Sequence, residues 1–447
     1  MGRLFGTDGV RGLVGEELSC ELAVKLGRAT AYALTKHEGT TPNILIGKDT
    51  RVSGFALESA FVAGACSMGA NCHLTGVIPT PAVSLLVVKY NFQAGVMVSA
   101  SHNPCEFNGI KIFNKCGFKI SDEMEQEIEE YVFNSSNITA SYMGMCFFCK
   151  DAVSDYVSYI ASTVEGFNFD GIRVAVDCAN GSASATAKEI FNKINVEADI
   201  LNAEPNGVNI NKNCGSTSTE IFSKYVKENG YDIGVAFDGD ADRCLAIDEK
   251  GNLIDGDQLI AIFARCMKDD GVLSNNTVVV TVMSNLGFFN FAKENNINLK
   301  VTQVGDRYVL KNMIENGYKI GGEQSGHIIF KDYSNTGDGQ LTAVQLIKYL
   351  KNSGKSFAEL AGVMKKFPQV MVSVKANSEQ KQKYFNSQDI ESYIQKKEQI
   401  LGNESRILVR CSGTEPIIRI MIEGPDRDLI EKTSKEVANR ISKLVGV

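Results

Sequence analysis

Three times along this chain a short apolar stretch stops at a polar, glycine-containing loop and an amphipathic segment follows. That alternation predicts layered α/β blocks, because a strand buried on both faces reads as an apolar run and its covering helices carry one apolar stripe. In the first block, Asn43–Ile46, Cys72–Val77 and Gly95–Val98 read as strands, with helices at about 53–68, up to Tyr90, and near Asp122–Val132. The plan restarts at Ile172–Val176 and Ile233–Phe237, the latter resuming as Cys244–Ile247. It restarts again from Asp257, with Thr277–Val282, Leu299–Val304 and Lys319–Gly322. Beyond Phe367-Pro368 the pattern changes: Val370–Val374, Ile407–Arg410 and Ile417–Ile422 precede a helix bearing Ile430, Val437, Ile441 and Leu444. The expected fold is three similar α/β blocks and a smaller α+β tail. In open α/β sheets ligands sit where strands end, so the loops there carry the functional argument.

Composition narrows the classes. Forty-six Lys and Arg against 53 Asp and Glu leave a net charge of −7, which argues against a nucleic-acid or anionic-membrane partner. No apolar run approaches the ~18 residues of a membrane helix, and the first residues predict no signal peptide. Twelve cysteines without paired spacing, apart from Cys146 and Cys149, read as reduced cytosolic thiols. Four histidines rule out a His-rich metal site.

Asp238-Gly-Asp240-Ala-Asp242 is the sharpest signal. Alternate carboxylates past an apolar strand supply hard oxygen ligands for a divalent cation. Glu249 even falls at the twelfth position of an EF-hand, but Arg243 stands where that loop needs Gly. Ser99-Ala-Ser101-His102-Asn-Pro104 lacks G-x-S-x-G, which argues against a serine hydrolase. It leaves a serine that carries phosphate beside a cation. Glu323-Gln-Ser325-Gly-His327 offers groups for sugar hydroxyls and proton transfer, or a satisfied core histidine. Arg410-Cys-Ser412-Gly413-Thr414 reads as an anion cradle or a hairpin turn. The glycine-dense segment Gly6–Gly12 is expected to be a loop carrying Arg11, and Lys48 to Arg51 a second basic loop, serving the same anionic cleft or simply solvated. Gly354-Lys355-Ser356 and Gly337-Asp-Gly339 both fail as nucleotide motifs, since Tyr349 and Thr342 replace required glycines.

Taken together and in this order, these loops resemble the α-D-phosphohexomutase superfamily, essentially end to end. The resemblance implies three similar three-layer α/β domains with mixed sheets and a smaller α+β C-terminal domain around one central cleft. The implied domains are 1–152 with the phosphoserine loop, 153–253 with the metal loop, 254–366 with the sugar loop, and 367–447 as a mobile phosphate-binding lid. Phe5–Gly12, Thr281-Val-Met-Ser-Asn-Leu-Gly287 and Val304-Gly-Asp-Arg-Tyr-Val309 resemble the branch that acts on glucosamine phosphates. Gln324 and Gly413 fit the same branch, where phosphomannomutase/phosphoglucomutase relatives more often carry Met and Asn.

The resemblance implies interconversion of glucosamine 6-phosphate and glucosamine 1-phosphate, toward UDP-N-acetylglucosamine. It passes through a phosphoserine and glucosamine 1,6-bisphosphate. Ser101 would be the phosphoserine, and Asp238, Asp240 and Asp242 would hold one Mg²⁺ together with a Ser101 phosphate oxygen. Lys111 and His327 would be general acid/base candidates, with Arg11 and Arg243 beside the phosphoserine. Glu323 and Ser325 would bind sugar hydroxyls, and Arg410, Ser412, Gly413 and Thr414 the unreacting phosphate. The implied enzyme is cytoplasmic, works on small hexosamine phosphates without nucleic acid or membrane, and is open to homodimer formation. A phosphomannomutase/phosphoglucomutase shares every catalytic residue, so only the sugar loops discriminate. A silent binding member would have lost Ser101 or an Asp, and a phosphatase would release phosphate faster than it isomerises.

Overall fold

The computed structural model describes residues 4–6, 8–134, 139–140, 142–412 and 416–446. The first sheet contains β1 (Val10–Leu13), β2 (Asn43–Lys48), β3 (Asn71–Val77), β4 (Ala94–Val98), β5 (Phe107–Asn114) and β6 (Cys146–Phe148). Their spatial order is β1-β5-β4-β2-β3-β6. β2 pairs in parallel with β3 and β4, while β5 runs antiparallel between β4 and β1. Helices α1 (Cys20–Glu38), α2 (Gly54–Ser67), α3 (Thr80–Lys89) and α4 (Asp122–Phe133) accompany it. Leu26, Phe61, Ile44, Ile46, Val96 and Ile110 meet in its core.

Three strands of this sheet, β1, β5 and β6, lie outside those the sequence predicts. Arg11 lies on strand β1, opposite Gly109, and not on a loop. Glycine density serves a close approach here: a Cβ on Gly9, held at φ +79°, would fall 2.4 Å from the Ile110 carbonyl oxygen. The stretch before Lys150 also holds β6, which pairs with β3 although its residues are exposed and carry no alternating pattern.

After α5 (Ala152–Ser162), the second sheet combines β7 (Arg173–Asp177), β8 (Glu197–Leu201), β9 (Ile233–Phe237), β10 (Cys244–Asp248) and β11 (Leu253–Ile254), with α6 (Ala187–Lys193) and α7 (Glu220–Glu228). Its order is β11-β10-β9-β7-β8, mixed in direction. The third follows α8 (Gly256–Asp269). It uses β12 (Thr277–Thr281), β13 (Asn298–Thr302), β14 (Ile320–Gly322) and β15 (Ile328–Phe330) in the order β13-β12-β14-β15. Helices α9 (Leu286–Glu294), α10 (Asp306–Asn316), α11 (Gly339–Ser353) and α12 (Phe357–Ala361) fall in this stretch.

The last sheet is antiparallel: β16 (Gln369–Lys375), β18 (Ile417–Glu423) and β17 (Arg406–Cys411), in that spatial order. It comes with α13 (Ser378–Phe385), α14 (Gln388–Leu401) and α15 (Arg427–Val445). Ile430, Val437 and Ile441 of α15 pack on Ile418, Ile420 and Ile422, as the helical spacing predicts.

Two compact units result. One joins Met1–Val282 with Asn298–Val363, and the other joins Met283–Ile297 with Met364–Val447. In the second, the buried Glu423 carboxylate accepts hydrogen bonds from Asn285 Nδ2 (3.1 Å), the Leu286 N–H (3.2 Å), Gln369 Nε2 (3.0 Å) and Arg406 (2.6 Å). Those partners tie the segment carrying α9 to the antiparallel sheet.

Candidate active site

The six-residue loop between β9 and β10 is a hairpin whose flanking register is Phe237 opposite Cys244. It projects Asp238, Asp240 and Asp242, all buried, with carboxylate oxygens within 4.8 Å of one another. Each is partly satisfied. Asp238 Oδ2 accepts the Ser101 hydroxyl at 2.5 Å and Oδ1 the Arg243 N–H at 3.2 Å. Asp240 Oδ2 accepts from Lys111 Nζ at 2.8 Å and Thr80 Oγ1 at 2.6 Å. Asp240 Oδ1 and Asp242 Oδ1 are buried with no hydrogen-bond donor among the described residues. Burial and the neighbouring carboxylates push Asp238 well above the usual carboxylate range. Burial also opposes charge on Asp242, but Lys111, His327 and Arg243 outweigh it and hold that carboxyl low. Clustered hard oxygens, two of them orphaned, fit a small divalent cation.

Ser101 reaches this hairpin from the turn after β4, with φ at +52°, a strained conformation for a side-chain-bearing residue. Its loop is held by a residue that the sequence reading treats as a basic turn. The fully buried Arg51 pairs with Asp49 at 2.9 Å and donates to the carbonyls of Ser101 (2.9 Å), Asn103 (2.8 Å) and Pro104. Asp49 also accepts the Ser99 hydroxyl at 2.6 Å, and Ser99 Oγ accepts the Ser101 N–H at 2.9 Å. Lys48 is consumed by Glu58. The Lys48–Arg51 segment is therefore a clamp and not an anion site, because its cations already have buried acidic partners.

Lys111, on β5, is buried between Asp240, Asp8 (3.0 Å) and Asp242 (3.7 Å). Burial opposes its charge, yet these carboxylates raise its pKa overall. Arg243 donates to His102 Nδ1 at 3.2 Å. Burial, with Arg243 and Arg11 nearby, pushes His102 down to about 4. Arg11 itself is held by Asp8 at 2.6 Å. His327 Nδ1 lies 3.6 Å from Asp242, and its Nε2 accepts the Gly337 N–H at 3.0 Å. That bond leaves Nδ1 as the proton-bearing nitrogen of the neutral ring. Burial disfavours the imidazolium, but Asp242 and Asp306 outweigh it and raise the His327 pKa.

The loop 323–327 leans on the start of α8. Asp255 caps that helix, and the Gly256 N–H donates to the Gln324 carbonyl at 3.0 Å. Glu323 Oε1 accepts the Gly305 N–H at 3.0 Å, while the Ser325 hydroxyl is buried without a partner among the described residues. Ser101, Lys111, the three aspartates, Arg243 and His327 thus converge within one compact unit. Arg410 and Ser412 belong to the other, at the end of β17, where the Ser412 N–H donates to the Ile417 carbonyl. Gly413 and Thr414 lie outside the described residues.

Comparison with known proteins accounts for this assembly. Family models of phosphoglucomutase/phosphomannomutase match as alpha/beta/alpha domain I over residues 2–139, domain II over 154–251, domain III over 255–367 and the C-terminal domain over 350–440. The chain belongs to the phosphoglucomutase/phosphomannomutase family. As a phosphohexomutase it is an isomerase with three mixed α/β domains and a smaller α+β domain. It is 50% identical to a phosphoglucosamine mutase of Acetivibrio thermocellus over 100% of both chains. It is 49% identical to one of Clostridium tetani over 99% of both. A family protein from Burkholderia thailandensis shares the fold at TM-score 0.82 and 21% identity, covering 98% of this chain and 97% of that one. An Aspergillus fumigatus N-acetylphosphoglucosamine mutase, solved with GlcNAc-6P and magnesium, does so at TM-score 0.67 and 16% identity, covering 99% and 96%. No helix among the described residues is long and apolar enough to cross a membrane.

Thr80 and Lys119 are site residues that the sequence reading did not single out. Asp8, Asp49, Arg51 and Asp306 lie inside segments it quotes, Gly6–Gly12, Lys48–Arg51 and Val304–Val309, but received no individual role there.

Proposed function

We propose that this chain interconverts glucosamine 6-phosphate and glucosamine 1-phosphate through a phosphorylated Ser101 and glucosamine 1,6-bisphosphate. The observation that carries the chemistry is Ser101 Oγ hydrogen-bonded at 2.5 Å to a buried triad of carboxylates. The names of relatives about 50% identical over the full length support the substrate. Asp238, Asp240 and Asp242 would hold Mg²⁺, which when bound supplies positive charge to the transferring phosphoryl group.

The chain's own groups do the rest. A sugar hydroxyl attacks phosphorus as the Ser101 O–P bond breaks, and its proton passes to His327, while Lys111, held protonated by its carboxylate neighbours, is the acid of the pair. The serine oxygen then recovers a proton from the same pair. Return of the other phosphate to Ser101 repeats these bond changes after the bisphosphate turns over. Arg11 and Arg243 balance charge beside Ser101, Glu323 and Ser325 bind sugar hydroxyls, and Arg410, Ser412, Gly413 and Thr414 grip the phosphate at rest. Domains of 1–152, 153–253, 254–366 and 367–447 would divide these tasks, the last as a lid excluding water so that phosphate is transferred and not hydrolysed. Acting on these hexosamine phosphates, the enzyme would work in the cytoplasm.

Phosphopeptide mapping with coupled assays on glucosamine, glucose and mannose phosphates tests this reading. Phosphate is expected on Ser101, glucosamine phosphate is expected to be preferred, and Ser101→Ala is expected to be inactive. An active Ala variant overturns the mechanism, and preference for mannose 1-phosphate overturns the substrate.

A further inference from the structure

Lys119 lies at the junction of the first and third domains, on the segment between β5 and α4. Its ammonium pairs with Asp8 Oδ1 at 2.5 Å and Asp306 Oδ2 at 2.7 Å. Asp8 turns its other oxygen to Lys111 at 3.0 Å, and Asp306 Oδ2 lies 3.6 Å from His327 Nε2, the nitrogen that accepts the Gly337 N–H, so Asp306 acts on the ring through charge and not through a hydrogen bond. His327 faces Asp242 at 3.6 Å, and Asp242 faces Lys111 at 3.7 Å. These groups close a ring: Lys111, Asp8, Lys119, Asp306, His327, Asp242. Within it two arms connect Lys111 to His327, one through Asp242 of the second domain and one through Asp8, Lys119 and Asp306.

We propose that Lys119 and Asp306 form a positioning pair that keeps Lys111 and His327 in register across the first and third domains. Asp242 belongs to the carboxylate triad that would hold a cation, with its Oδ2 facing Lys111 and His327 and its Oδ1 without a donor among the described residues. The Lys119 arm contains no member of that triad, so it keeps its geometry while charge at the triad changes. The junction offers little else to set this register. A cavity of about 490 Å³ opens there, with Phe113, Phe118 and Tyr308 in its wall. The polar ties beyond it, Arg307 to Asp122 and to Glu125 at 2.9 Å and Asn335 to the Cys116 carbonyl at 2.8 Å, reach neither Lys111 nor His327. Burial disfavours charge on Lys119, yet Asp306 and Asp8 raise its pKa overall. Neutralising Lys119 leaves Asp306 with His327 as its remaining cationic neighbour, whereas Asp8 keeps Lys111 and Arg11.

The proposal rests on the mutase reading above, and its test separates the two. Steady-state kinetics on glucosamine 6-phosphate would compare Lys119→Met, Asp306→Asn, the double variant, Lys119→Arg and Arg307→Met. Lys119→Met and Asp306→Asn are expected to lower kcat about 10- to 100-fold with KM within about threefold, because misplacement of reacting groups acts on the chemical step. The double variant should fall no lower than the weaker single, Lys119→Arg should recover most of kcat, and Arg307→Met should keep it. Unchanged kcat in Lys119→Met and Asp306→Asn, a loss confined to KM, or an equal loss in Arg307→Met overturns the proposal. Should Lys119→Met fail to fold, Asp306→Asn, Lys119→Arg and Arg307→Met give the same reading. Should the wild type ignore glucosamine 6-phosphate, the substrate reading falls and the variants are compared on the hexose phosphate it does isomerise.

Discussion

Three buried carboxylates within 4.8 Å cannot all carry full charge without positive partners nearby. Lys111 and the Arg243 guanidinium, 3.8 Å from Asp242, supply part of that charge, and the triad's two oxygens without a hydrogen-bond donor leave a share for a cation. His102 answers to the same field from the other side. Held neutral by burial and two arginines, its folded pKa near 4 lies below the ordinary histidine value of about 6.5. The unfolded chain therefore binds its proton first as pH falls. The stability contributed by neutral His102 is complete above about pH 6.5 and is lost between there and about pH 4. Urea titrations of the dephosphorylated enzyme should show the wild type losing about 1–2 kcal/mol relative to His102→Gln over that window. A constant difference between the two proteins would show that His102 titrates normally.

At the scale of elements, the serine loop shows how a strained turn is kept. β4 and β5 deliver Ser101 and Lys111 from neighbouring antiparallel strands, and Arg51 fastens the turn to the loop after β2. A guanidinium can fork to several carbonyls while pairing with a carboxylate, and an ammonium cannot. Arg51→Lys should therefore cost about 2–4 kcal/mol of stability, since buried Asp49 and three carbonyls lose partners. It should also slow the phosphorylation of Ser101, because the strained φ of that residue persists only while its surroundings enforce it. Denaturant titration and the stoichiometry of Ser101 phosphate would report the two effects separately. A variant as stable as the wild type would mean that the loop holds itself.

The whole molecule is two compact units, and chain order does not divide them. The segment Met283–Ile297 lies within the α/β stretch in sequence yet joins the C-terminal unit through Asn285 and Glu423. Glu423 accepts bonds from four separate groups, so its loss strands Arg406 and leaves buried amides unpaired. Glu423→Ala is expected to destabilise that unit by about 3–5 kcal/mol, the range for breaking a buried charged network. Hydrogen exchange should show early opening of α9 and the antiparallel sheet, with the amides of β2 and β4 unchanged. Equal loss of protection in β2 and β4 would show that the two units unfold as one.

Much of this was legible in the residues alone. The apolar runs marked most strands, since buried strands need apolar side chains wherever they end up. The Asp-Gly-Asp-Ala-Asp and Ser-His-Asn-Pro loops announced their chemistry because their reactive groups are neighbours in the chain. β1 and β6 were not legible: one is glycine-dense and the other short and exposed, so neither shows a buried-strand pattern. The same limit hid Lys119, whose partners Asp8 and Asp306 lie 111 and 187 residues away, and the carbonyls that Arg51 holds, 50 to 53 residues away. The repeat of strand, polar loop and helix determined by itself the class of fold and the loops that bear the chemistry. Only tertiary structure decided which charges are buried together, because a charged side chain looks alike in sequence whether water or an opposite charge will solvate it.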